Sequence, residues 1–154
     1  LTNLLTLDAL NLEAPYYDQR IQQNLAALIS GDQTVQGDLG AGKSELARGV
    51  ARGLGIEGAV PSPSFTILNA YDEGRCPLYH FDWYRIEDAK EIYEMGMEEQ
   101  LGGDGIALIE WSEKAEECLP EKRLRISILT MDENTRELHF HPEGGFEIEE
   151  KWLK

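Results

Sequence analysis

The apolar positions of this chain change period along its length, and the changes mark out its elements. From Ser44 onward, Leu46, Ala47, Val50, Ala51 and Leu54 recur at helical spacing, predicting a helix that Gly53 and Gly55 stop. A helix is also expected after Asp18, with Ile21, Leu25, Leu28 and Ile29 on one face and its end near Gly31. A short acidic helix over residues 87–95 is closed by Gly96. Residues 106–111 form an apolar run ending in Glu110 and Trp111, the profile of a strand buried on both faces. Residues 65–71 and 77–83 flank the turn cluster Asp72-Glu73-Gly74 and read as a hairpin. Residues 124–129, after a break at Pro120, and residues 137–140 add two strands, and the leucine-rich residues 1–12 have room for an edge strand. Residues 33–36 are a short polar extended run in which Val35 is the one strong strand former. The sum is α/β with a mixed sheet, without internal repeats or low-complexity tracts.

At 154 residues the chain is read as a single domain over 1–154, long enough to bury a core. Its formal charge of −15 narrows the function classes. Such a surface repels nucleic-acid backbones and anionic lipid unless a basic patch intervenes, and only Lys43, Arg48 and Arg52 come near to one. Arg48 and Arg52 read more plainly as solvated helix charges. Acidic stretches at 87–99 and 143–150 suit solubility or a basic partner protein. Cys76 and Cys118 sit in no C-x-x-C pair and beside no histidine, so reduced thiols of a cytoplasmic protein are expected. No apolar run approaches the roughly 18 residues of a membrane helix. No basic n-region opens the chain, so no signal peptide is expected, and the missing initiator Met is read as trimming or incomplete order.

The chemistry begins at Gly37-Asp38-Leu39-Gly40-Ala41-Gly42-Lys43-Ser44, which fits the phosphate-binding pattern G-x-x-x-x-G-K-[ST] at every fixed position. Its glycines let the backbone curl and gather N–H donors, Lys43 neutralises phosphate charge, and the Ser44 hydroxyl is placed to ligate Mg²⁺. The helix that follows adds its positive N-terminal end. Such a loop needs a second acid at the end of a neighbouring buried strand, and Asp82 and Glu110 both end apolar runs. Either could hold Mg²⁺ or orient water; the plainer alternative is a strand-end acid paired with a base, such as Asp82 with Arg85. Ser62, Ser64 and Thr66 lie in a Pro-bounded loop that could respond to a γ-phosphate or simply stabilise a turn. Trp111 could pack over the site or into the core, and His80 reads as a packed core histidine.

Taken in order, Gly-Asp-Leu-Gly-Ala-Gly-Lys at 37–43, Arg-Gly at 48–49, Ser-Pro-Ser-Phe-Thr at 62–66, Tyr-His-Phe-Asp-Trp-Tyr-Arg at 79–85 and Ile-Glu-Trp at 109–111 resemble the bacterial TsaE (YjeE) family. The resemblance is strongest over residues 37–120. It implies a single-domain P-loop NTPase fold with a mixed, mostly parallel sheet flanked by helices. It also implies weak ATP hydrolysis that serves N6-threonylcarbamoyladenosine modification of tRNA, with ATP and Mg²⁺ as ligands. The implied partners are a threonylcarbamoyl transferase and its paralogous subunit (TsaD/TsaB-like), which hold the tRNA. By resemblance Lys43 and Ser44 hold phosphate and Mg²⁺, and Asp82 and Glu110 form the acidic Mg²⁺/water site. Ser64 takes the place of a switch threonine, and Trp111 lies near the nucleotide. The family usually carries Thr-Thr after the lysine, where this chain has Ser44-Glu45. Glu45 suits a first helical turn but would repel a nearby α-phosphate, so Glu45→Thr is expected to tighten ATP binding. A small-metabolite kinase and a nucleotide-sensing interaction module are the other readings. No Arg-rich lid is visible for the kinase, and the absence of any Asn-Lys pair excludes the N-K-x-D route to guanine.

Overall fold

The computed structural model describes residues 5–11, 31–133 and 135–147. Among these, seven strands build one sheet: β1 (Leu5–Asn11), β2 (Gln33–Gln36), β3 (Leu68–Tyr71), β4 (Leu78–Asp82), β5 (Ile106–Glu110), β6 (Arg123–Asp132) and β7 (Thr135–Glu143). Two α-helices accompany them, α1 (Lys43–Gly53) and α2 (Lys90–Glu94). The strand order is β1-β7-β6-β2-β5-β4-β3. The central pairings β6–β2, β2–β5 and β5–β4 are parallel, while β1–β7, β7–β6 and β4–β3 are antiparallel at the two sides. This is the expected mixed sheet, with its parallel pairings confined to the centre and equal in number to the antiparallel ones rather than in the majority, and the leucine-rich start does supply an edge strand. The helix expected after Asp18 lies outside the described residues.

Alternation along the strands divides the core in two. Ile106 and Leu108 of β5 join Val35, Ile126, Leu138 and Phe140 on the face covered by α1. That helix contributes Leu46, Ala47, Val50, Ala51 and Leu54, the stripe its sequence period marked out. Ala107 and Ile109 point the other way and pack with Phe81, Trp83, Ile86, Ile92 and Ala115. β2 is polar yet central. Asp32, just before it, accepts the N–H groups of Gly102 (2.5 Å) and Ala107 (2.9 Å), tying the start of β2 to its neighbour. Two parallel partners then satisfy the β2 backbone on both sides, which a short polar run could not signal by itself.

Boundaries moved where local hydrogen bonds intervened. β3 starts at Leu68 instead of 65, because the Ile67 N–H bonds the Pro63 carbonyl (2.7 Å) and closes a turn. Ile67 has φ 68°, an uncommon backbone for a β-branched residue. α2 starts at Lys90, whose N–H bonds the Asp88 carboxylate (2.9 Å). β6 and β7 outrun the apolar residues that predicted them, because antiparallel pairing continues from Arg123↔Glu143 to Asp132↔Thr135. Two 3₁₀ segments, Met97–Gln100 and Ser112–Cys118, were not legible from periodicity.

Leu46 is wholly buried between α1 and the sheet. Leu46→Ala should cost about 2–5 kcal/mol, read as a lower urea midpoint with an unchanged slope. A loss within experimental error would show that α1 does not pack as described.

Candidate nucleotide-phosphate site

One row of registered residues positions everything else. Val35 of β2 sits beside Glu110 of β5, and Glu110 sits beside Asp82 of β4. All three strands run the same way, so the start of the glycine loop and both acids emerge at one sheet edge. In open α/β sheets that carboxyl edge is where ligands bind. Alternation also places Glu110 in phase with Leu108, and Asp82 in phase with Leu78, both packed on the α1 side. The two carboxylates therefore lie on the side from which α1 begins.

Between β2 and α1 the loop turns through Gly40 (φ 82°) and Gly42 (φ 109°), with the Ala41 N–H bonded to the Asp38 carbonyl at 3.0 Å. Gly37 must stay small: a Cβ there would lie 2.9 Å from the Ile128 carbonyl and 3.0 Å from the Ala41 Cβ. No side chain caps α1. Its opening turn thus presents amide groups and the positive end of the helix without a competing side-chain acceptor.

The side chains converge on this turn. The Lys43 ammonium donates to the carbonyls of Gly37 (2.5 Å) and Asp38 (3.1 Å) and lies 4.2 Å above the Trp111 ring. Burial pulls its pKa below the usual lysine value, while Glu110, Glu113, Asp82 and Asp38 oppose that pull. The Ser44 hydroxyl is 3.2 Å from each Glu110 carboxylate oxygen. Beneath Glu110, His80 Nε2 donates to Oε2 at 2.5 Å, both side chains being buried. His80 Nδ1 is buried without a hydrogen-bond partner, so the Nε2–H tautomer is the one that strands no donor. Asp82 accepts the Tyr84 N–H at 2.9 Å, and burial raises its pKa above the ordinary aspartate value. Glu110 raises it further, whereas the Tyr84 bond, His80 and Lys43 lower it.

A cavity of about 510 Å³ opens over these groups. Leu39, Gly40, Gly42, Lys43, Ser44 and Glu45 line one side, Ser62, Ser64 and Phe65 another, and Asp82, Tyr84, Arg85, Glu110 and Trp111 the rest. Of the loop residues 37–45 singled out in the sequence, Gly37, Asp38 and Ala41 stand off from the lining. Gly37 and Asp38 offer their carbonyls to Lys43, and Ala41 is buried. The Asp82–Arg85 pairing considered above is replaced: Arg85 donates to the Ser64 carbonyl (3.0 Å) and stacks over Phe65 (4.3 Å). Thr66 turns to Asn69 (3.0 Å). Trp111 adopts φ 58° as it leaves β5, and its ring meets Tyr84 at 5.0 Å.

Sequence reasoning missed three parts of this arrangement. His80, read as core, is buried but touches the site carboxylate; its even spacing from Asp82 was the available signal. Tyr84 and Arg85 follow two and three positions after Asp82 and line the cavity. Arg136 of β7 donates from Nε to the Ala41 carbonyl at 3.0 Å, bracing the loop from 95 residues away, and nothing local announced it.

A hydroxyl and two carboxylates are hard oxygen donors of the kind Mg²⁺ accepts beside substrate phosphates. Among the described residues no three His, Cys, Asp or Glu side chains gather closely enough to hold a metal unaided. The glycine loop between a parallel strand and a helix, with acids on the adjacent strand ends, defines a P-loop α/β fold. Residues 14–138 match the family described as TsaE, threonylcarbamoyl adenosine biosynthesis protein. The Bacillus subtilis TsaE protein is 46% identical over 112 residues, 73% of this chain and 70% of the relative. The Nostoc TsaE protein is 39% identical over 135 residues, covering 81% and 82%. The crystal structure of Bacillus subtilis YdiB superposes with a TM-score of 0.71 at 35% identity, covering 94% of this chain and 88% of that one. The chain belongs to the TsaE family.

Because burial raises the Asp82 pKa, its ionised form opposes folding at neutral pH and its protonated form does not. Asp82→Asn should therefore melt higher than the parent at pH 7. The gain should shrink as pH falls through the raised folded-state pKa and vanish below about 3, where the parent carboxylate is protonated in both states. A constant difference across that range would remove the ionisation from the explanation.

Proposed function

We propose that this chain binds and hydrolyses Mg²⁺–ATP as the ATPase component of tRNA threonylcarbamoyladenosine biosynthesis. The observation that carries the reading is the contact of Ser44 with Glu110 at the mouth of the glycine loop, beside Lys43 and in register with Asp82. The ligand roles extend to the loop residues 37–45, Ser64 and Trp111. Lys43, already desolvated, would exchange its two carbonyl acceptors for phosphate oxygens, whose negative charge suits it better. Mg²⁺, when bound through Ser44, Asp82 and Glu110, supplies charge neutralisation at the phosphates. His80 holds one Glu110 oxygen, fixing how the carboxylate meets Ser44 and the attacking water. Arg85, Ser62, Ser64 and Phe65 complete the cavity wall.

The division of labour follows from charge. A chain of net charge −15 is a poor grip for tRNA, so the tRNA is held by the transferase and its paralogous subunit, and this domain acts on them. The whole chain, 1–154, is one ATPase domain working in the cytoplasm. Among the described residues no helix is long and apolar enough to cross a membrane.

Two variants and a reconstitution test this. Lys43→Ala should abolish ATP binding or turnover in a phosphate-release assay, and normal turnover would sink the loop assignment. Glu110→Ala should keep binding but lose hydrolysis by at least about a hundredfold, the scale of a lost catalytic acid–base group. Phosphate release should be slow alone and rise when the transferase pair is added. Phosphorylation of a metabolite would point instead to a kinase, and tight binding without release under any condition to a sensing module.

A further inference from the structure

Glu45, in the first turn of α1, lines the cavity with its charge. Two cations, Lys43 and Arg85, share that lining with three carboxylates, Glu45, Asp82 and Glu110. A polyphosphate entering such a site meets a net negative rim. One turn along α1, the Arg48 guanidinium bonds the Glu45 carboxylate through NH1 and donates from Nε to the Val60 carbonyl at 3.1 Å. The second bond fixes the guanidinium from outside the helix, so the pair is more than two side chains at helical spacing. Val60 directly precedes the 61–66 loop, whose Pro61 carbonyl is held by Asn69 (3.3 Å).

We propose that Arg48 is a positioning residue of the nucleotide site, neutralising Glu45 at the cavity rim so that the loop tolerates an acid directly after its Mg²⁺-binding hydroxyl. The inference rests on the nucleotide reading above. Both side chains are partly exposed, at 31% and 43%, so the pair adds little to folding stability. Its effect falls on the ligand. The charge of the pair is zero in this chain, positive when Glu45 alone is removed, and negative when Arg48 alone is removed. Affinity for an anionic nucleotide should therefore be highest with the positive pair, intermediate with the neutral one and lowest with the negative one.

The test is a fluorescent ATP analogue titrated with Mg²⁺ into the full chain and three variants. Arg48→Ala should weaken binding about five- to tenfold, the Coulomb scale of one uncompensated charge near a phosphate. Glu45→Gln should tighten it about two- to fivefold by freeing Arg48. The double variant, again neutral, should return to within about twofold of the parent, and the Arg48→Ala deficit should shrink as salt is raised. Arg48→Gln replaces the alanine in the same cycle if the latter melts early. If the single and double Arg48 variants lose affinity equally, Arg48 acts by bracing Val60 and the proposal is overturned. Parent binding that Arg48→Ala leaves unchanged also overturns it, with the nucleotide reading intact. No binding by the parent overturns both.

Discussion

The parallel pairing of β2 with β5, and of β5 with β4, is the constraint on which the rest of the molecule depends. Parallel strands deliver their carboxyl ends to the same edge, and this register sets Val35, Glu110 and Asp82 side by side there. A slip of one residue would turn both acids to the opposite face, since side chains alternate with period two. The loop would then face Ile109 and Phe81 instead of two carboxylates. The apolar positions guard against that slip: Ile106 and Leu108 fit under α1 while Ala107 and Ile109 fill the other core. The chemistry of the site is thus protected by the hydrophobic pattern of the strands that carry it.

Around that row the protein accepts local costs. Lys43 and Asp82 are buried with pKa values displaced toward their neutral forms, and Trp111 and Ile67 hold positive φ beside the cavity. Displaced pKa values and sparsely populated backbone conformations gather at functional sites because only the surrounding structure can hold them there. Here the holders are identifiable. His80 fixes Glu110 from below, Arg136 braces the loop at Ala41, and Arg85 ties the serine loop to the end of β4. Each fixes the position of a group at or beside the cavity.

Membership of the TsaE family and the acidity of the chain fit one picture. The cavity combines carboxylates, hydroxyls and cations in its lining, and the protein surface as a whole is acidic, with a net charge of −15. Such a surface favours protein partners with basic faces over direct contact with nucleic acid. The pairing of Glu45 with Arg48 shows the same economy within the site, where one acid too many is met by one base on the same helix.

Much of this was legible in the residues. The glycine loop is a local device, because its turn, lysine and hydroxyl lie within eight consecutive positions and depend on backbone freedom that glycine alone confers. The α1 stripe and the β5 run were equally local, each set by a period of burial. The order of motifs along the chain was sufficient to indicate the family. What the chain could not show by itself was pairing across distance. β2 read only as a short polar extended run; its central place rests on two parallel partners and the Asp32 anchor. His80 changed from core residue to support for Glu110, and Arg136 became part of the loop's foundation from the far end of the sequence. Glu45 changed from an intruder at the phosphate to half of an ion pair. Spacing along a chain encodes which face a residue takes. Only the register between strands and the packing of α1 decide what that face meets, because those distances are fixed by the whole core rather than by any one segment.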